Sequence, residues 1–156
     1  MGCGPSTKET SLHHFRDPLV EVFDADLDTE LAGVIVLGTP QDNYLKHLVG
    51  DRAAGICQAM GCQGAVVSAD GWGNSDVDFA NTLEQIGMRG MEVVGLKFIG
   101  TQAKFVVKND YTDQVLDINK SESGTETEIV GENNLELTDA RKALAYLKLR
   151  MRNKKL

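Results

Sequence analysis

The sequence is short of the residues that would settle its class by themselves. Cysteine occurs three times, at Cys3, Cys57 and Cys62, an odd number with no secretory leader ahead of it. That excludes the disulfide framework of small secreted domains and fits a reducing, cytoplasmic setting. No apolar run approaches the roughly 18 residues a membrane-spanning helix needs, so no span is predicted. Positive charge is also scarce, since 16 Lys and Arg against 23 Asp and Glu leave a net charge of −7. A chain of that sign has no general attraction for nucleic acid phosphates or anionic lipid, and neither is expected as a partner. Basic residues gather only in the tail, at Lys148, Arg150, Arg152, Lys154 and Lys155, where they suit the carboxyl end of a helix.

Known catalytic signatures are missing too. There is no nucleophile elbow, Walker loop, zinc-ligand spacing or Ser-His-Asp order. His13 and His14 are neighbours and would point apart on a helix, so no metal site is predicted. Cys57 and Cys62 do not form a C-x-x-C motif. Cys57 reads as a small core hydrophobe and Cys62 as the more exposed thiol, the weak candidate for a catalytic one. The start, Met1-Gly2-Cys3-Gly4-Pro5-Ser6, fits a myristoylation pattern, but Glu9 opposes the single nearby base Lys8, so the second membrane signal is lacking.

What is there reads as one α/β domain over residues 1–156, and a chain of this length buries roughly two thirds of its unfolded surface. Residues 1–32 form an amino-terminal arm. Ser6 and Glu9 have the spacing of a capping box for a helix that Pro18 ends, and Leu19 to Phe23 reads as an edge strand. Residues 33–119 alternate strand and helix. Val34 to Leu37 reads as a strand buried on both faces, followed by a helix capped by Asp42 or Asn43. Its apolar face is Leu45, Leu48, Val49, Ile56 and Met60. Ala65 to Val67 is a second strand. Ser75 caps a second helix carrying Val77, Ala80, Leu83 and Ile86, Val93 to Leu96 is a third strand, and Val115 to Ile118 a last one. Residues 120–137 form a polar loop, and 138–156 a helix capped by Thr138 with a basic tail. The predicted architecture is a three-layer, mostly parallel open sheet of about four to five strands with flanking helices, Rossmann-like or flavodoxin-like.

In such a sheet, ligands sit beyond the carboxyl ends of the strands. Three segments meet there: Gly38 to Asp42 with Thr39, the stretch DGWGNSDVDF from Asp70 to Phe79, and Lys97 to Gln102. In the second, Gly71 and Gly73 free the backbone to turn sharply, Trp72 covers the strand end, and Asn74 and Ser75 aim polar groups at a helix start. It reads G-x-G-x-x-D, with Asp76 in place of a dinucleotide fingerprint's third glycine, and Asp70, Asp76 and Asp78 would repel a pyrophosphate. Asp76 and Asp78 read as stabilisers of the helix dipole. Asp70 and Asn74 are candidates for holding an amine, with Lys97 answering a carboxylate. A regulatory or assembly domain that binds a small molecule without turning it over is the alternative these residues leave open.

Four segments, GPSTKETSLHHFRDP from Gly4, GVIVLGTP from Gly33, DGWGNSDVDF from Asp70 and VGLKFIGTQAKFVV from Val94, resemble the carboxyl-terminal part of the D-proline reductase proprotein family, which is related to the B-protein subunits of glycine, sarcosine and betaine reductases. The resemblance implies reductive opening of D-proline to 5-aminovalerate, an anaerobic amino-acid (Stickland) fermentation, in a complex that uses a pyruvoyl group and a partner's selenocysteine. It implies partnership with other proline reductase-type subunits, one of them a selenoprotein, and allows a homo-oligomer. The sequence has no selenocysteine, and cleavage before Cys3 would release only Met1-Gly2. The expectation is therefore a short stand-alone paralogue, a subunit or accessory protein with no cofactor of its own and no pyruvoyl group at Cys3.

Overall fold

The structure is a computed structural model and describes residues 17–69, 73–101, 107–125 and 134–154. The helix expected over Ser6 to Phe15 lies outside them. Three strands, β1 (Gly64–Ala69), β2 (Glu92–Lys97) and β3 (Val115–Asp117), form a parallel sheet in that order. Gly64 pairs with Glu92 through Ala69 with Lys97, and Gly95 with Val115 through Lys97 with Asp117. Four helices, α1 (Pro18–Asp24), α2 (Asn43–Ala59), α3 (Asn74–Met88) and α4 (Leu137–Asn153), flank it. No helix among the described residues is long and apolar enough to cross a membrane.

The strand period of two sorts the side chains into two cores. Val93, with Ala65, Val67 and Ala69, faces a cluster that Phe79, Leu83 and Ile86 of α3 share with Ala54 and Cys57 of α2. On the opposite face, Val94 and Leu96, with Val66 and Leu116, meet Ala143 and Leu147 of α4, with Leu19 and Phe23 of α1 against them. Each fully buried Leu or Val contributes about 1.5–3 kcal/mol, so these two layers hold the helices to the sheet. Gly95 lets α3 approach, since a Cβ there would stand 2.8 Å from the Phe79 ring and 2.7 Å from Val115.

Among the described residues three strands stand, against four to five expected over the chain, and two expected strands take other forms. Leu19 to Phe23 is helical. Pro18 opens α1 at a position where its missing N–H costs nothing, and the Asp17 carboxylate accepts from the Leu19 N–H at 2.8 Å. Leu19 and Phe23, four residues apart, then share one face. The run Val34 to Leu37 is extended but joins no ladder among the described residues. Val36 is 92% and Val34 65% exposed, while Ile35 packs on the core. Alternating exposure is the mark of a strand covered on one side, not of one buried on both.

The predicted face of α2 holds only in part, with Leu48 and Val49 half-buried. Leu45, Ile56 and Met60 point outward, and the buried stripe is Lys46, Gly50, Ala53, Ala54 and Cys57. Small residues win because α3 lies close: a Cβ on Gly50 would stand 2.2 Å from the Asn81 amide nitrogen. Two caps shift as well. The N-cap of α3 is Gly73 rather than Ser75, and that of α4 is Glu136 rather than Thr138. In each case an aspartate three residues on, Asp76 or Asp139, accepts from the cap N–H, at 3.2 and 3.0 Å.

Polar contacts finish the docking of α1 beside α4. The Lys148 ammonium donates to both Asp26 oxygens, at 2.9 and 3.0 Å, and to Asp28 at 2.9 Å, while Thr29 donates to Asp26 at 2.6 Å. The Thr29 and Lys148 hydrogen bonds hold the Asp26 pKa below its ordinary value, and those from Lys148 to Asp26 and Asp28 raise the lysine's. A depressed carboxylate adds stability above the ordinary carboxylate pKa and loses it as pH falls through its folded value. A raised lysine adds stability below the ordinary lysine pKa and loses it as pH rises through its folded value. Hydrogen exchange across residues 18–28 should therefore be slowest, after correction for intrinsic rates, between those limits and accelerate at both extremes. Asp26→Asn should remove most of the acid-side change, and a flat profile in the wild type would contradict the assignment.

Candidate functional site

The carboxyl edge of the sheet gathers the ends of β1, β2 and β3 and the starts of α2 and α3. Sequence places charges there, and the fold buries four of them. Lys97, the last residue of β2, and Asp76, in the first turn of α3, are each 1% exposed and form an ion pair. Lys97 also lies 5.3 Å from the Phe79 ring centroid. Lys46 of α2, 1% exposed, pairs with Asp78 of α3 at 2.5 Å. Asp76 and Asp78, two positions apart near the start of α3, thus bind opposite neighbours, one the sheet and the other α2. The sequence reading had assigned both to the helix dipole.

Asn81 extends the seam one turn on. Its side-chain oxygen is 2.9 Å from His47 Nδ1, and its nitrogen donates to the His47 carbonyl at 3.3 Å. Thr82 donates to the Asp78 carbonyl at 2.7 Å. Two buried polar atoms beside the pairs, Asp78 Oδ1 and Ser75 Oγ, have no hydrogen-bond partner among the described residues. An unsatisfied buried acceptor costs about 1–3 kcal/mol.

Around these pairs runs an exposed polar rim. Thr39 and Asn74 are both exposed, and the Asn74 amide donates to Gln41 at 3.1 Å, joining the loop before α2 to the turn before α3. Gly73 takes φ +79°, which a side chain would strain. Asp117, at the end of β3, accepts from the N–H groups of Ile99 at 2.9 Å and Gly100 at 3.1 Å. Thr101 then donates through its hydroxyl to the Gly124 carbonyl at 3.0 Å. Asp70, Gly71, Trp72 and Gln102 lie outside the described residues. Grooves of about 470 and 320 Å³ lie away from this rim, the first between α1 and α4, the second beside Cys62 and Glu92 at the amino ends of the strands. No group of three or more His, Cys, Asp or Glu among the described residues could hold a metal ion.

The structure therefore brings Thr39, Gly73, Asn74 and Lys97 to one end of the sheet, with Lys97 sealed against Asp76 beneath the rim. It adds Lys46 and Asp117, which the sequence reading left out, and gives Asp78 and Gln41 specific partners. Lys46 carried a signal in its spacing of four from Gly50 and eight from Ala54, which puts a lysine on the small-residue stripe. Removing one member of a buried pair strands the other charge, so Lys97→Ala or Asp76→Ala should each cost about 3–5 kcal/mol in urea unfolding. The double variant Lys97→Met/Asp76→Leu should cost clearly less than the two singles summed. Additive losses would contradict the pairing.

A family model for glycine/sarcosine/betaine reductase component B subunits matches residues 3–101. The chain is 43% identical over 145 residues to the D-proline reductase proprotein PrdA of Acetoanaerobium sticklandii, covering 93% of this chain and 23% of that protein. It is 34% identical over 89 residues to the glycine reductase complex component B subunits alpha and beta of Peptoclostridium acidaminophilum, covering 56% of this chain and 21% of that one. The sarcosine reductase complex component B subunit alpha of the same organism is 27% identical over 92 residues, 58% of this chain and 22% of its own length. The chain spans less than a quarter of the length of each of these relatives. No solved structure matches. With the family match extending from Cys3 through the end of β2, the chain belongs to the glycine/sarcosine/betaine reductase component B subunit family.

Proposed function

We propose that this chain is a cytoplasmic component of a D-proline reductase-type complex, contributing to reductive cleavage of D-proline through its partners rather than alone. One observation carries the reading: an apolar surface stands uncovered on a chain that spans under a quarter of its relatives. Tyr44, Leu45, Ile56 and Met60 are exposed along the outer side of α2. Gly33 lies against the Met60 methyl, where a Cβ would stand 3.1 Å from it, and from there the exposed Val34 and Val36 extend the surface. Large apolar side chains left exposed in this number suit an interaction surface. The partners are the remaining reductase subunits, among them one carrying the selenocysteine. Val34 to Leu37 becomes a further strand, with the expected sheet count restored, when such a partner covers it.

In this reading the rim of Thr39, Gly73 and Asn74 faces the partner's active site. Lys97 holds Asp76, and through it the Gly73 turn, in place beneath the rim.

Val36→Asp with Ile56→Glu should leave unfolding free energy within about half a kcal/mol, as surface changes do. Co-purification with reductase subunits from the native host should be lost. Turnover of D-proline by the pure chain with a dithiol reductant, or unchanged co-purification of the variant, would refute the proposal.

A second reading is favoured by the family match opening at Cys3. There the chain itself would supply a pyruvoyl group, formed at that cysteine by cleavage of the bond before it. Cys3 lies outside the described residues, and no step is built on it. Intact-mass analysis separates the two readings. An unprocessed cysteine is the expected result, and a chain starting at residue 3 with a blocked, ketone-reactive end would favour the second reading.

A further inference from the structure

We propose that Cys57 and Cys62 form a reversible dithiol–disulfide site at the carboxyl cap of α2, oxidised by low-molecular-weight disulfides that reach Cys62 from the neighbouring groove. The placement comes from the way α2 ends. Gly61 takes φ +72°, its N–H donates to the Gln58 carbonyl at 3.0 Å, and the Cys62 N–H donates to the Cys57 carbonyl at 3.0 Å. Those two bonds define the Schellman ending, which folds the chain back so that the side chains of its first and last residues meet. In most helices that contact is between two apolar groups. Here both positions are cysteine, and Cys62 packs against the cluster in which Cys57 is buried.

The two sulfurs differ in access. Cys57 is buried in the cluster with Phe79, Leu83 and Met91, and Cys62 packs against that cluster from its edge. Cys62 also lines the groove of about 320 Å³, with Gln58, Gln63 and Met91 among its neighbours there. Burial pushes the Cys57 thiol pKa up, and the adjacent Cys62 adds to the rise. A reagent arriving from solvent therefore meets Cys62 first, and Cys57 lies behind it in the cluster that Cys62 packs on.

The chemistry closes without a metal or a further cofactor. The Cys62 thiolate attacks one sulfur of a disulfide RSSR and expels RS⁻, which leaves a mixed disulfide on Cys62. Cys57 gives up its proton to the solvent, and its sulfur attacks the Cys62 sulfur, expelling the second RS⁻. Both released thiolates take up the protons lost by the cysteines. One S–S bond is broken and one is made, the protein is oxidised by two electrons, and RSSR is reduced to two RSH. A dithiol reductant reverses the sequence.

The test uses the full reduced chain and glutathione disulfide. Trypsin cutting after Arg52 and Arg89 leaves both cysteines in one peptide, free of Cys3. That peptide should lose two hydrogens, and dithiothreitol should restore them. In Cys57→Ser, Cys62 should accumulate a persistent glutathione adduct. In Cys62→Ser, with its fold verified by circular dichroism, Cys57 should stay unmodified. The proposal is overturned if the wild-type peptide ends as a stable glutathione adduct at Cys62. It is equally overturned if both thiols remain free after a C-x-x-C peptide in the same tube has been fully oxidised.

Discussion

Four charges that the chain takes out of water, Lys97 with Asp76 and Lys46 with Asp78, determine how α3 sits. Hydrophobic contact alone would let this helix slide or rotate on the sheet, because its buried Phe79, Leu83 and Ile86 meet a surface of interchangeable small and branched side chains. A buried ammonium tolerates no such freedom, since moving it from its carboxylate costs several kcal/mol. With one pair reaching β2 and the other reaching α2, the first turn of α3 is fixed to both neighbours. The turn that carries Gly73 and Asn74 is fixed with it.

The contact between α2 and α3 follows from the same economy of space. Gly50, Ala53 and Ala54 remove bulk from α2 where the pairs must meet, and Asn81 fills the room over Gly50 with an amide that also bonds α2's backbone. The larger apolar residues of α2 are left on the outside. A surface that a solitary protein would have turned inward thus becomes available to other polypeptides, in keeping with a family whose members are components of multi-subunit reductases.

Much of this fold was legible in the sequence, because local rules determined it. The Asp42 cap, the Gly61 stop, and the strands at Ala65, Val93 and Val115 all follow from short-range chemistry that tertiary contacts reinforce. Where the reading failed, packing between distant segments decided the outcome. Leu45, Ile56 and Met60 looked like a core face because hydrophobicity was weighed without size, and the close approach of α3 rewards small residues instead. Leu19 to Phe23 looked like an edge strand and is a helix, because Pro18 suits a first helical position and the Asp17 side chain caps it. At the site, the carboxyl-edge rule located Thr39, Gly73, Asn74 and Lys97, but no sequence spacing could tell which aspartate Lys97 would meet. Asp76 lies 21 residues from it, and only folding makes them neighbours.

The order of the strands has one more consequence. Among the described residues β1 forms one border of the sheet, and its sequence, Gly64 to Ala69, has neither a charge nor a proline to discourage another strand from adding there. Natural sheets normally guard such a border, because its unsatisfied backbone groups pair with any extended chain that arrives. Handled in isolation and at high concentration, molecules with this border are primed to stack edge to edge.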